Sequence, residues 1–410
     1  TRSSNNPNFL MFNAYFALSK DQVFTWGKND NNNILLANNM RIDPNEPTKT
    51  TVKGIMKLLL VETTYNHSPR ACILGLTHQK KVISWGSGSR GCLGRDDWEN
   101  NKTPTEISFP KENASIENIY ASSGSIYAID GDGSLFAWGA NDGGQLSINS
   151  SQDHFDPPIA VPFFHNNSIS IDKMFLCDNS YLILAKDRSG NHYMWGSYFD
   201  AYSTKRVTIE KINFDQKPTI KTIIRSQDNF FAIDQNDAVY SWGEVKKALL
   251  GRVPTNRETV FEKQPSKIFF DNKALCAKKI FIYEHRLYTD PHRVFVLGRD
   301  GKVYAWGNLI NQQKKILMPI QIQFSDNKNP TITFIDTMML IAYVTPTEAY
   351  QFNQDTLQFD PLFKTSPINN KDTDSITGRP SSSGKFKHNN METRSSDDDL
   401  ATSLTNLNQN

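Results

Sequence analysis

The chain has 410 residues, 38% of them hydrophobic and 21% charged, and a formal net charge of +2. That length suits one large repeat array or two to three ordinary domains with buried cores. No run of eighteen apolar residues offers a membrane-spanning helix, and frequent asparagine lowers hydropathy without adding charge.

Residues 1–8 form a lead before the first apolar stretch. Then "VFTWG" (23–27) closes on a Trp-Gly pair, and the same shape returns at "VISWG" (82–86), "LFAWG" (135–139), "YMWG" (193–196), "VYSWG" (239–243) and "VYAWG" (303–307). Six of the seven tryptophans (Trp26, Trp85, Trp138, Trp195, Trp242 and Trp306) sit in such pairs, 59, 53, 57, 47 and 64 residues apart. Only Trp98 lies outside. A motif at that period is an internal repeat, and its punctuation is β-like.

The elements between the pairs follow one grammar. "SKDQ" (19–22) is a hairpin turn. "PTKTTV" (47–52) and "PTEISF" (104–109) read as strands opened by proline, a place where its missing donor is tolerated; the first fits less well. "IENIYA" (116–121) reads as a strand leading into the next unit. "SIYAID" (125–130), the glycine turn "GDG" and "SLFAWG" (134–139) form a hairpin. "GGQLS" (143–147) turns the chain, "PPIAVPF" (157–163) is a third, proline-initiated strand, and "SIDKMFL" (170–176) a fourth. "IKTIIR" (220–225), "QPSKIFF" (264–270), "KKIFIY" (278–283), the turn "GRDGK" (298–302) and "MPIQIQF" (318–324) repeat the scheme. In "LIAYVTPTEAYQFN" (340–353) a degraded seventh unit has Phe352 in place of Trp and Asn353 in place of Gly.

These units predict an all-β fold over 9–361, a seven-bladed β-propeller of four-stranded blades, whose radial closure protects strand edges. Each indole is expected to fill the gap between adjacent blades, and each glycine to let the chain turn without a Cβ clash. Residues 362–410, rich in Ser, Thr, Asn and Asp, cannot bury enough apolar surface to fold alone and predict a disordered tail. Ser381 to Ser383 and Ser395-Ser396 stand there in plausible kinase contexts.

The repeat resembles that of the regulator of chromosome condensation family. It is closest at "YAIDGDGSLFAWGANDGGQLS" (127–147), "VFVLGRDGKVYAWGN" (294–308) and "SWGSGSRGCLGRDD" (84–97), and it covers roughly residues 9–355. The resemblance implies a seven-bladed propeller, and either a nucleotide-exchange factor for the small GTPase Ran or a plain interaction platform. The family's His thirteen residues before the Trp is replaced by Asn13, Ser125, Asn229 and Arg293. The acidic exchange face maps onto Ser123, Asp178 and Asn179. A protruding wedge after Trp-Gly-Ser has its counterpart in "WGSYFD" (195–200), with Asp200, although the gap of 47 residues to Trp242 leaves little room for an insertion.

Charge is uneven. Residues 245–302 hold thirteen Lys/Arg against six Asp/Glu; Lys246, Lys247, Arg252, Lys278, Lys279, Arg286 and Arg293 form a basic sector able to steer an acidic protein, a phosphate or DNA. The alternative is a set of solvated loop lysines. Cys72, Cys92, Cys177 and Cys276 lie far apart with no metal spacing, and are expected to be reduced, mostly buried thiols of an intracellular protein. No cofactor, metal centre or nucleophile motif emerges, and "GSGSRG" (86–91) does not open a helix as a phosphate loop must. The expected partner is a protein, with a Ran-like small GTPase as one candidate and DNA or chromatin another, and the chain is expected to be a monomer. Three functions stay open: a binding propeller acting through rim loops, an exchange factor acting by differential binding, and a bacterial effector of this fold acting on a host GTPase.

Overall fold

The structure is a computed structural model that describes residues 13–19, 22–28, 46–65, 68–96, 100–148, 152–176, 181–199, 204–226, 228–245, 248–254, 259–283, 292–309, 315–326, 330–336, 341–345 and 348–364. They belong to one compact unit, Phe12–Lys364. Trp98, the lead and residues 365–410 lie outside the described residues.

Antiparallel strands follow one another in successive sheets, each wound in chain order; among the described residues the first blade has three strands, not the expected four, and the others have four. Blade 1 comprises Asn13–Ser19, Gln22–Lys28 and Thr48–Lys53. Blade 2 comprises Ile55–Tyr65, Ser68–Thr77, Val82–Gly86 and Asn101–Glu106. Blade 3 has Ile116–Ser122, Ser125–Asp130, Leu135–Ala140 and His154–Ala160. Blade 4 has Ile171–Phe175, Leu182–Asp187, His192–Phe199 and Thr204–Ile212. Blade 5 has Ile220–Ser226, Asn229–Asp234, Val239–Glu244 and Phe261–Lys267. Blade 6 has Ala277–Tyr283, Arg293–Gly298, Val303–Gly307 and Ile316–Phe324. Blade 7 has Phe334–Asp336, Ile341–Thr345, Glu348–Asn353 and Gln358–Lys364. The fourth strands of blades 6 and 7 pair in parallel at Gln323–Gln358 and Phe324–Phe359, which makes one eight-stranded sheet of the two. The fold is a β-propeller.

The tryptophans explain the spacing. Trp85, Trp138, Trp195, Trp242 and Trp306 are fully buried, and each packs backward onto the preceding blade. Trp138 joins Leu74, Val82 and Leu93 of blade 2. Trp195 joins Tyr127, Leu135 and Phe164 behind it. Trp242 joins Leu184 and Met194, and Trp306 joins Phe231 and Val239. Phe352 takes the same place between blades 6 and 7. A large aromatic buries about 150–250 Å², so each ring contributes at most ~4–6 kcal/mol at ~25 cal/mol/Å². Trp26, in the first blade, is only half-buried.

The glycine after each Trp is fixed by the main chain. Gly139 has φ +87° and Gly243 φ +120°. A Cβ on Gly139 would strike the Gly124 carbonyl oxygen, and one on Gly243 that of Asp228. Those same oxygens accept the N–H of the next residue, Ala140 at 3.0 Å and Glu244 at 3.1 Å. The chain must turn, and must also come close enough to bond; only glycine allows both.

Five expectations need correcting. The strand before each hairpin belongs to that hairpin's own sheet: Ile116–Ser122 pairs with Ser125–Asp130, and Ile171–Phe175 with Leu182–Asp187. It opens a blade rather than closing one. The proline-bearing strands do not begin at proline either. Pro104, Pro158, Pro265 and Pro319 lie inside fourth strands, within the bulges whose register shifts flank the Trp: Ser84/Gly86, Ala137/Gly139, Ser241/Gly243 and Ala305/Gly307. An edge strand at a bulge needs no donor there. "PPIAVPF" likewise stops as a strand at Ala160, and Pro162–Asn166 is a short α-helix that buries Phe164. Finally, Cys72 and Cys92 form a disulfide. Cys72 pairs across the sheet with Gly86, and the turn after the Trp-Gly pair brings Cys92 back beside it. The last strand also runs to Lys364, past the expected boundary at 361.

Candidate interaction rim

Two kinds of loop leave the same end of each blade. The residue thirteen before the Trp faces the Trp-Gly glycine across the sheet: Cys72–Gly86, Ser125–Gly139, Leu182–Gly196, Asn229–Gly243 and Arg293–Gly307. In blade 1 the register is displaced, and Asn13 faces Lys28. The connection between first and second strands therefore lies beside the segment that follows Trp-Gly. This rim is where the resemblance places its binding residues.

Ser123 is on it. With Gly124 it makes the two-residue turn of blade 3, both at positive φ (50° and 81°), the backbone of a type I′ hairpin. Ser125 beneath is fully buried and its Oγ donates to the Ala140 carbonyl at 2.6 Å, a structural duty where the family has His. Asp178, Asn179 and Asp200 lie outside the described residues. Their flanks are adjacent in blade 4, because Leu182 pairs with Gly196.

Two hairpins run beyond the level set by the glycines. In blade 4 the third strand continues past Gly196, with Ser197, Tyr198 and Phe199 opposite Arg206, Lys205 and Thr204. Tyr198 stacks on Phe261 of blade 5 (centroids 4.3 Å apart, planes at 18°), so this extension is braced by its neighbour. In blade 2 the first hairpin continues past Cys72 through the pairs Glu62–Ala71, Thr63–Arg70, Thr64–Pro69 and Tyr65–Ser68. The short gap before Trp242 therefore did not exclude a protrusion at "WGSYFD". The extension uses strand residues rather than an inserted loop, which is why spacing alone missed it.

The basic sector divides. Arg252 is largely buried; it is ion-paired with Glu262 and its Nη2 donates to the Ser241 carbonyl at 3.0 Å. Arg293 is buried with its guanidinium 5.2 Å from the Tyr283 ring centroid. Both serve the blade, as their place beside Trp-Gly strands dictates. Lys278 and Lys279 are exposed on the first strand of blade 6, and Lys279 reaches the Thr333 carbonyl at 3.5 Å. Lys246, Lys247 and Arg286 lie outside the described residues. Among the described residues, no group of three or more His, Cys, Asp or Glu could hold a metal ion. Among the described residues, no helix is long and apolar enough to cross a membrane.

The opposite end carries a bonding scheme that the sequence reading did not find. An aspartate ends the second strand and caps the turn. Asp234 Oδ1 accepts the N–H groups of Asn236 and Ala238, at 2.8 and 2.9 Å, and Tyr240 donates to its Oδ2 at 3.2 Å. Asp187 does the same for Asn191 and Tyr193, and in blade 6 Asp300, two residues past the second strand, bonds Lys302 and Tyr304 alike. Burial, helped by Asp187, pushes the Tyr193 hydroxyl up to about 12, so it stays a donor. An Asp six residues before a Tyr, twice, was the available signal. His192 at this end is buried against Phe214, and burial pushes its pKa down to about 4.

Residues 81–129 match the regulator of chromosome condensation (RCC1) repeat. An RCC1 domain-containing protein of Dictyostelium discoideum is 32% identical over 146 residues, covering 28% of this chain and 28% of that protein. The E3 ubiquitin-protein ligase HERC2 of Mus musculus is 28% identical over 254 residues, covering 59% of this chain and 5% of the ligase. The chain thus spans under a third of either relative. The crystal structure of Prp20p from Saccharomyces cerevisiae, described with its binding to Gsp1p and histones, aligns at 16% identity and a TM-score of 0.48, covering 78% of this chain and 77% of that one.

Proposed function

Because the chain is a divergent member of the regulator of chromosome condensation repeat family, we propose that it is a protein-interaction propeller that docks a partner on the rim bearing the Trp-Gly exits. One observation carries this reading. In five blades the first connection and the Trp-Gly exit are cross-strand neighbours, so loops gather at one end on a fixed frame, an arrangement suited to recognition. The hairpins of blades 2 and 4 stand above that level and offer edges a partner can grip. The partner class is a small GTPase of the Ran type, bound with no covalent chemistry.

A second reading, nucleotide exchange, is favoured by the blade 4 extension at "WGSYFD", where the family resemblance implies a wedge. A propeller that binds the nucleotide-free GTPase more tightly than the loaded form speeds release. The test mixes the full chain with Ran carrying a fluorescent nucleotide. Binding without faster release supports the platform, and accelerated release supports exchange. Absence of both at micromolar protein defeats the GTPase reading. If release is accelerated, Asp178→Ala is expected to slow it, and an unchanged rate removes that residue from the mechanism.

A further inference from the structure

The disulfide lies where the repeat places an interblade hydrogen bond. In two places the carbonyl seven residues after a Trp accepts the indole N–H of the next blade's Trp, while Trp242 Nε1, like Trp138 Nε1, is buried without a partner among the described residues. Gln145 O accepts from Trp195 Nε1 at 2.7 Å, and Leu249 O from Trp306 Nε1 at 2.6 Å. The equivalent carbonyl in blade 2 belongs to Cys92, and the indole that should reach it is Trp138. The register agrees with that of Leu249, because there and at Cys92 the glycine two residues on makes room for an indole. A Cβ on Gly94 would come within 2.9 Å of Trp138 Nε1, and one on Gly251 within 2.8 Å of Trp306 Cε2. Yet Trp138 Nε1, fully buried, has no hydrogen-bond partner. The Cys92 carbonyl oxygen instead lies 3.3 Å from Cys72 Sγ, in the residue to which Cys92 is bonded.

We infer that Cys72–Cys92 is a reversible oxidation site whose state sets the Trp138 bond between blades 2 and 3. Oxidised, the pair holds the Cys92 carbonyl toward sulfur and leaves the indole without an acceptor. Reduced, the turn relaxes, and Trp138 Nε1 donates to Cys92 O as its counterparts do. The reductant class is a small-molecule thiol such as glutathione. Two glutathione thiols supply two electrons and two protons, the S–S bond breaks to two protein thiols, and one glutathione disulfide forms; the reverse exchange consumes glutathione disulfide. Both cysteines are fully buried, so exchange proceeds through opening of the 89–94 turn and is slow in the folded protein. A buried unpaired donor is costly, so the two states differ in how tightly these blades are joined.

The test uses the full chain in glutathione disulfide and in dithiothreitol. Differential alkylation after unfolding, read by mass, must show one protected pair in the first buffer and none in the second. Proton exchange at the ¹⁵N-labelled Trp138 indole, assigned with Trp138→Phe, is then expected to be at least about tenfold slower in the reduced protein. Cys72→Ala keeps the Cys92 carbonyl and is expected to show the slow exchange in both buffers. Free alkylation of both thiols under glutathione disulfide, or equal indole exchange in the two states, overturns the inference. Should Cys72→Ala fail to fold, the wild-type comparison across the two buffers decides alone.

Discussion

The two ends of the blades solve different problems with the same strands. At the end opposite the Trp-Gly exits, the turns of blades 4, 5 and 6 are each tied by an aspartate accepting backbone N–H and a tyrosine hydroxyl. Ion pairs add to it, as where Lys111 meets Asp130 and Asp132 at 2.5 Å and Arg299 and Lys221 both meet Asp237. At the Trp-Gly end the turn is closed by glycine and main chain, with side chains such as Ser125 adding single bonds to carbonyls, and the hairpins of blades 2 and 4 run past it. Aspartates cap the turns at one end, while at the other the hairpins of blades 2 and 4 run on past the glycines.

That contrast can be broken, and the strongest break lies between the ends. Trp138→Ala is expected to cost about 3–5 kcal/mol, as large buried aromatics do, while Trp26→Ala, at a half-buried ring, costs clearly less; urea denaturation compares them. Next comes acid. His192 has its folded pKa lowered from 6.5 to about 4 by burial, with Lys186 adding to the shift and Asp187 opposing it. The unfolded chain therefore binds the proton first as pH falls. Stability from this group is complete above pH 6.5 and is lost between 6.5 and about 4, by on the order of 3 kcal/mol at ~1.36 kcal/mol per unit. Urea midpoints at pH 7.5, 5.5 and 4.5 should show the loss, and His192→Gln should shrink it; an equal acid slope in the variant would reject the assignment.

Smaller effects separate the ends directly. Asp234→Ala removes the acceptor of a closed turn and should cost about 1–3 kcal/mol, with partner binding unchanged once the protein is folded. Tyr198→Ala should do the opposite. It forfeits a stack worth about 0.5–1.5 kcal/mol but loosens the blade 4 extension, so partner affinity should fall more than stability. The reverse pattern would place the docking face at the closed end. Least of all, Lys246→Glu with Lys247→Glu should weaken partner capture at low salt more than at high salt, since screening shortens steering; equal loss at both would mean contact rather than steering.

Much of the frame was legible. Trp-Gly at a steady period, with β-favouring residues before it and a glycine turn one hairpin earlier, is a local signal, and it named the strands and the seventh, degraded unit at Phe352. What failed was phase. "IENIYA" reads equally well as the end of one unit or the start of the next, because periodicity does not say which neighbour a strand bonds to. The proline-bearing strands were placed but misread, since the bulge that lets Pro104 or Pro319 sit inside a strand exists only against the Trp-Gly strand beside it. At the rim, Ser123 was named only through the family resemblance, and Arg252 and Arg293 were counted as surface charge because composition cannot show that a guanidinium is turned inward.

The sequence by itself determined the repeat, the β class and the need for glycine after each Trp, because these follow from local sterics and from the area an indole must bury. Only the tertiary structure decided which blade each Trp packs against, that Cys72 meets Cys92, which arginines are committed to the frame, and that blades 2 and 4 project beyond the rest. Those depend on residues far apart in the chain meeting across sheets, and no local pattern encodes a distance between them.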